Sequence, residues 1–322
     1  MGLEEFSDQN SKPELRTKPR LLNDQRECSK DECPSSALKE EMKLRRTQWS
    51  VVGPGTYVAS SLSSKTLTPG VYIFRPSDCG MLFVESPTKS DDLISFPDSL
   101  FENVEKEVDN FWQLGDNFKK YGFLHRRGYL FYGPAGSGKS CLVERIMRNV
   151  IEKDGLVFIC AHNPRISSDA LKILREVEPD RKIVCVFEDI DAIVEAWGEA
   201  EVLMLLDGEN QVDKVINIAT TNYPEKLDKR IVARPRRFDR IIKIEMPNEK
   251  IRKEYFKNKI GVNGEDLDYW TKCSDGFSFA SLSELVISVK CLGNPFENSI
   301  RRLKELSRKR SSSEFEQGNV GF

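Results

Sequence analysis

One octapeptide limits what this chain can fold into more than any other feature: Gly133-Pro134-Ala135-Gly136-Ser137-Gly138-Lys139-Ser140. It fills every fixed position of the phosphate-loop pattern G-x-x-x-x-G-K-[ST]. The apolar run Gly128–Tyr132 precedes it, and the helix-like run Cys141–Met147 follows. Strand, glycine loop and helix, in that order, is the context this pattern requires. The glycines allow backbone N–H groups to converge on an anion, and the helix start adds partial positive charge. Lys139 is expected to reach the β- and γ-phosphates of a nucleotide, with Ser140 ligating Mg²⁺ and Cys141 completing the cradle.

From about residue 127 to 247 apolar strands alternate with helical segments. The strand candidates are Tyr129–Tyr132, Leu156–Ala161, Ile183–Phe187, Val215–Thr220 and Ile241–Glu245. This alternation predicts an α/β domain, a parallel sheet with helices on both faces. Residues 99–247 are assigned to this core and 248–310 to a helical lid, with breaks near Gly261–Gly264 and Ser274–Phe279. Short β-rich runs punctuated by Gly, Pro and Ser predict a small antiparallel β domain over 47–98. Residues 1–46 carry charges of both signs without a clear period and read as a disordered tail; 311–322 read as a second flexible tail.

The strand Ile183–Phe187 runs into Glu188-Asp189-Ile190-Asp191. Carboxylates at the end of a buried strand suit the metal side of a nucleotide triphosphatase: one supports Mg²⁺, the other polarises the attacking water. Neighbouring strand residues point opposite ways, so the two have separate tasks. Val215–Ala219 ends in Thr220-Thr221-Asn222, where the amide of Asn222 can hold that water; a turn-starting Asn before Tyr223-Pro224 is the plainer alternative. Five arginines then fall between Arg230 and Arg240. Such a cluster is a solvated face, an anion site or a source of arginine fingers for a neighbour's γ-phosphate.

Composition narrows the classes. The 322 residues are 39% apolar and 31% charged with a net charge of −2, enough to bury a core and without a global pull toward nucleic acid or anionic membrane. No run approaches the roughly 20 apolar residues of a membrane span. The start, Met1–Ser7, is acidic, unlike a signal peptide, and Phe6 breaks a myristoylation motif. Cys28 and Cys33 have no second pair nearby, and only His125 and His162 are present, which disfavours zinc. Cys141, Cys160 and Cys185 sit in apolar runs and read as small core residues. A reducing, cytoplasmic setting is expected, host cytoplasm if the chain is viral.

Taken together, Gly133–Ser140, Phe187–Asp191, Thr220–Asn222 and Ala233-Arg234-Pro235-Arg236-Arg237-Phe238-Asp239-Arg240 resemble an AAA ATPase over roughly residues 95–290. The resemblance implies a ring, usually of six subunits, with ATP and Mg²⁺ held between neighbours. By position it gives Lys139 and Ser140 to phosphate and Mg²⁺, and Glu188 to the Mg²⁺ side with Asp189 beside it. Asp189 takes the catalytic-base position, Asn222 the sensor amide, and Arg234 and Arg237 the fingers. Asp275–Ala280 resembles the start of the lid helix that faces ATP. Three departures stand out. The acidic pair reads Glu188 then Asp189 where the family has Asp then Glu, which leaves open which of the two is the base. Arg236 replaces the usual glycine between the fingers. No aromatic–apolar–glycine run lies between Leu156 and Ile183 to grip an unfolded peptide. His125–Pro134 and the Glu-Asp-Ile-Asp order look like the branch of the mitochondrial respiratory complex III assembly ATPase and its soluble phage and bacterial relatives.

The expected function is ATP hydrolysis coupled to remodelling or chaperoning of a protein client. Two alternatives differ in class. A nucleic-acid machine, such as a clamp or helicase loader, draws on the six basic residues of Arg301–Arg310, although a solvated helix face explains them as well. A nucleotide-gated scaffold with little turnover draws on Asp189 in place of Glu.

Overall fold

A computed structural model describes residues 48–60, 64–78, 80–86, 100–207, 211–232, 236–261 and 265–309. Both expected tails, and Cys28 and Cys33, lie outside these residues. The centre is a nine-stranded sheet in the order β1-β2-β4-β3-β6-β7-β8-β5-β9. The strands are β1 (Gln48–Gly53), β2 (Thr56–Ser60), β3 (Gly70–Ser77), β4 (Gly80–Glu85), β5 (Arg126–Tyr132), β6 (Leu156–Ile159), β7 (Ile183–Phe187), β8 (Val215–Thr221) and β9 (Arg240–Lys243). The pairs from β3–β6 through β5–β9 are all parallel. Every residue of β7 and β8 is buried, as near-continuous apolar strands covered on both faces must be.

Alternate strand residues feed two cores. Tyr129, Phe131, Val184, Val186, Ile216 and Ile218 face helices α1 (Leu100–Gln113) and α3 (Lys139–Glu152). Leu130, Phe158, Cys185, Phe187 and Ala219 face α4 (Pro164–Val177), α5 (Ile190–Trp197) and α6 (Glu199–Asp207). A short α2 (Gly115–Lys120) follows α1. α4 starts cleanly because the Asn163 side chain accepts a bond from the Arg165 N–H and Pro164 fills the first position.

The antiparallel β region is present, and it continues the main sheet. β1, β2, β4 and β3 pair antiparallel, and β3 then pairs parallel with β6, Val71 opposite Val157. Its aromatics Trp49, Tyr72, Phe74 and Phe83 share one core with Phe158. A buried carboxylate strengthens the join: Glu178 Oε1, after α4, accepts from Trp49 Nε1 and from the Leu67 N–H, each at 2.8 Å.

Beyond a short α7 (Lys229–Val232), α8 (Glu249–Ile260), α9 (Glu265–Cys273), α10 (Phe279–Val286) and α11 (Phe296–Lys309) form the C-terminal helical layer. They enclose a separate core of Phe256, Trp270, Phe277, Leu282, Leu285 and Leu303. The breaks at Gly261 and before Phe279 fall where the sequence places them; Gly261 caps α8 at φ 59°. Among the described residues no helix is long and apolar enough to cross a membrane.

Gly128 on β5 is where the arginine-rich segment approaches most closely. A β-carbon there would stand 1.9 Å from the Arg237 carbonyl oxygen. Asp239 closes the contact: its N–H donates to the Gly128 carbonyl, and its Oδ2 accepts from the Gly128 N–H, each at 2.9 Å. Gly128→Ala therefore has to displace backbone, and chemical denaturation is expected to register a loss of about 3 kcal/mol. An unchanged midpoint would contradict this packing.

Candidate active site

The carboxyl ends of β5, β7 and β8 are neighbours in the sheet, so the loops that follow them converge, as ligand sites do in open α/β sheets. After β5 the phosphate loop turns through Gly136 (φ 80°) and Gly138 (φ 105°), and Gly138 caps α3 with no side chain in the way. This leaves the first N–H groups of a 14-residue helix facing the cleft. Lys139 folds back under the loop and is only 6% exposed. Its Nζ donates to the carbonyls of Gly133 at 2.8 Å and Pro134 at 3.0 Å, and to Asn222 Oδ1 at 2.6 Å.

Burial lowers the Lys139 pKa to about 8, against the pull of Asp189 and Asp191. A bound phosphate favours the ammonium and raises that value, so binding above pH 8 takes up a proton. Nucleotide affinity is then expected to fall as pH rises through about 8, by at most about tenfold per pH unit. Fold stability moves the other way: an unfolded lysine holds its proton to about 10.4, so the unfolded chain binds more protons between the two values and stability rises with pH there. Titrating a slowly hydrolysed ATP analogue from about pH 7 to about pH 9.5 checks the first trend; a flat profile would contradict it.

After β7, Glu188 and Asp189 both reach solvent. Burial of its carboxyl, then the charge of Asp189, pushes the Glu188 pKa up. Asp189 sits in the left-handed region at φ 46° and caps α5. That backbone turns it away from Glu188 and toward the tip of β8. The Asp189 N–H donates to Thr220 Oγ1 at 3.1 Å, and Asn222 Nδ2 donates to Asp189 Oδ1 at 3.4 Å. Asn222 thus touches both the loop lysine and the second carboxylate.

One open cleft of about 290 Å³ brings together Gly136, Gly138, Lys139, Ser140, Cys141, Glu188, Asp189 and Asn222. Ala135, Thr220, Phe279 and Ala280 complete it. Cys141, read also as a core residue, is half-buried at its edge, whereas Cys160 and Cys185 are in the core. Gly133 and Pro134 act from behind as acceptors for Lys139. Ser137 faces another cleft, and its buried Oγ has no partner among the described residues. The lid meets the loop directly: the Phe279 N–H donates to the Gly136 carbonyl at 2.9 Å, and Ser278 caps α10 through the Ser281 N–H at 3.2 Å.

The arginine segment divides. Arg234 lies outside the described residues. Arg237 is turned inward, 6% exposed, with Nε 3.3 Å from Asp207 Oδ2 and a further bond to the Arg230 carbonyl. In this arrangement it does not project toward a neighbour. Arg236 is left-handed at φ 77°, which accounts for the glycine usual at that position and costs about 1 kcal/mol. Sequence reasoning gave no role to Thr220 and Thr221, whose hydroxyls join β8 to the start of α5. The signal available was their place beside a strand-tip amide.

A loop of convergent N–H donors, a buried ammonium and two carboxylates beside an exposed serine hydroxyl fit a nucleotide polyphosphate with a hard cation. Among the described residues no three His, Cys, Asp or Glu side chains gather as a metal-holding group. These features define a phosphate-loop nucleotide-binding site. Residues 129–246 match the family model described as ATPase family associated with various cellular activities (AAA), so this part of the chain is an AAA ATPase domain. It is also 28% identical over 250 residues to protein SAV of Sulfolobus acidocaldarius, across 67% of this chain. The match spans 31% of the length of that relative.

Proposed function

We propose that the chain is one subunit of a ring that couples Mg-ATP binding and hydrolysis to remodelling of a protein client. The observation that carries this reading is the meeting of phosphate loop, acidic strand end, Asn222 and lid helix on one cleft, with lid and loop sharing a backbone hydrogen bond. A change at the phosphates is thereby passed to the lid. Lys139 and the loop N–H groups bind the phosphates; Ser140 and Glu188, with Asp189 adjacent, would hold Mg²⁺. When bound, Mg²⁺ supplies neutralisation of phosphate charge. Asp189 takes the proton of the attacking water, and Asn222 orients that water. The adenine fits the neighbouring cleft of about 530 Å³, with Leu100, Phe101, Met246 and Ile251 on its walls and Ser137 and Phe279 at the junction.

Arg234 and Arg237 are the fingers offered to the adjacent subunit, Arg237 after exchanging Asp207 for phosphate. The order Glu188-Asp189-Ile190-Asp191 and the run His125–Pro134 support a kinship with the complex III assembly branch and its phage and bacterial relatives. Light scattering with Mg²⁺ and a slowly hydrolysed ATP analogue tests the ring. A mass of several subunits is expected; a monomer in every condition would leave the fingers without a target and overturn it.

A further inference from the structure

We infer that Thr221 and Asp191 form a linked pair of positioning residues that fixes Asn222 against Asp189 for hydrolysis. Thr221 is fully buried at the tip of β8. Its Oγ1 donates to Asp191 Oδ1 at 2.6 Å and accepts from the Tyr223 N–H at 2.9 Å. One hydroxyl therefore spans the residue that bears the amide and ties that turn to the first turn of α5. Asp191 lies two residues beyond Asp189 on the same helix start. The strand tip carrying Asn222 and the helix start carrying Asp189 are thus joined by a short, charge-assisted bond.

A second link runs in parallel, from the Asp189 N–H to Thr220 Oγ1. Between these two links the working groups meet at a longer distance, Asn222 Nδ2 to Asp189 Oδ1 at 3.4 Å. The short bonds hold the frame, and the longer contact leaves both groups able to engage water. Neither Thr221 nor Asp191 is among the side chains that line the phosphate cleft. Their contribution is to orientation, in which a displacement of about 1 Å can cost about 100-fold in rate.

The test uses the full chain and compares turnover with affinity. Thr221→Val keeps the side-chain shape and removes the hydroxyl. It is expected to lower kcat about 30-fold, with the Kd for a slowly hydrolysed ATP analogue unchanged within about twofold. Thr221→Ser restores the hydroxyl and is expected to recover most of kcat. Asp191→Asn keeps an acceptor and should fall less than Asp191→Ala. Thr221→Val with Asp191→Ala should be no slower than the worse single variant, because both break one link. If Thr221→Val does not fold, the two Asp191 variants carry the same comparison.

Wild-type kcat in Thr221→Val or in Asp191→Ala would overturn the inference, as would a rate loss that serine leaves unrepaired or that parallels lost affinity. The inference rests on the reading of this cleft as the ATP site, so Lys139→Ala is assayed beside it. Turnover surviving in Lys139→Ala would overturn that reading. A silent Lys139→Ala beside a normal Thr221→Val would overturn the positioning pair alone.

Discussion

Lys139→Ala is expected to abolish nucleotide binding, with an affinity loss of at least about 100-fold, or about 3 kcal/mol, the scale of a charge-assisted bond inside a partly dry site. The ammonium is buried, and all three of its acceptors belong to the site: two loop carbonyls and Asn222. Alanine removes the cation and leaves those acceptors beside the acidic pair, which then repels phosphate without opposition. The fold should survive, because keeping this amine charged under the loop is itself costly, as its lowered pKa records. Calorimetric titration of an ATP analogue, with circular dichroism to check folding, gives the answer. Retained affinity in a folded variant would remove Lys139 from the phosphate site.

Asp189→Asn is expected to hold ATP and to slow hydrolysis by about 10²- to 10⁴-fold, the range of a lost general base. The substitution suits the backbone, since Asn adopts the left-handed conformation at least as readily as Asp, and φ here is 46°. It also keeps an Oδ1 to accept from Asn222 Nδ2. What disappears is the capacity to take a proton. Glu188→Gln is the necessary companion, because Glu188 stands beside Asp189 with its pKa raised by burial and by the Asp189 charge. A stop in Glu188→Gln with normal turnover in Asp189→Asn would reverse the two roles.

Much of this site is legible in the chain because its parts are local. A strand, a glycine loop and a lysine fall within a dozen residues, and β7 spans Ile183–Phe187 as its apolar run indicates. β5 begins earlier than its hydrophobicity suggests because Arg126 and Arg127 pair with Val215 and Ile216, and the Arg126 guanidinium finds the carbonyls of Leu206 and Arg236. Charged residues satisfied in this way leave no apolar signal. The joining of β3 to β6 is equally invisible, since short alternating strands announce antiparallel neighbours and nothing in either segment encodes a partner more than 80 residues away. Glu178 holds Trp49 from 129 residues away, and its sequence neighbours are those of an ordinary helix end.

The arginine segment shows the same limit. Arg237 reads identically whether it reaches for a neighbour or pairs with Asp207, and only the packing of α6 against β5 distinguishes the two. Arg236 was visible as a departure from a glycine, and its left-handed φ supplies the physical meaning of that departure. Thr221 was visible as a residue and silent as a function, because its partner Asp191 belongs to a different strand end.

Phosphate release from ATP by the full chain, measured with Mg²⁺ and again with the cation chelated, decides whether the cleft hydrolyses what it binds. Release is expected to be saturable, to require Mg²⁺ and to be lost in both Lys139→Ala and Asp189→Asn, only the first of which also loses binding. Tight ATP binding with no release under any condition would contradict it, and would make the cleft a nucleotide-gated hold in place of a hydrolytic site.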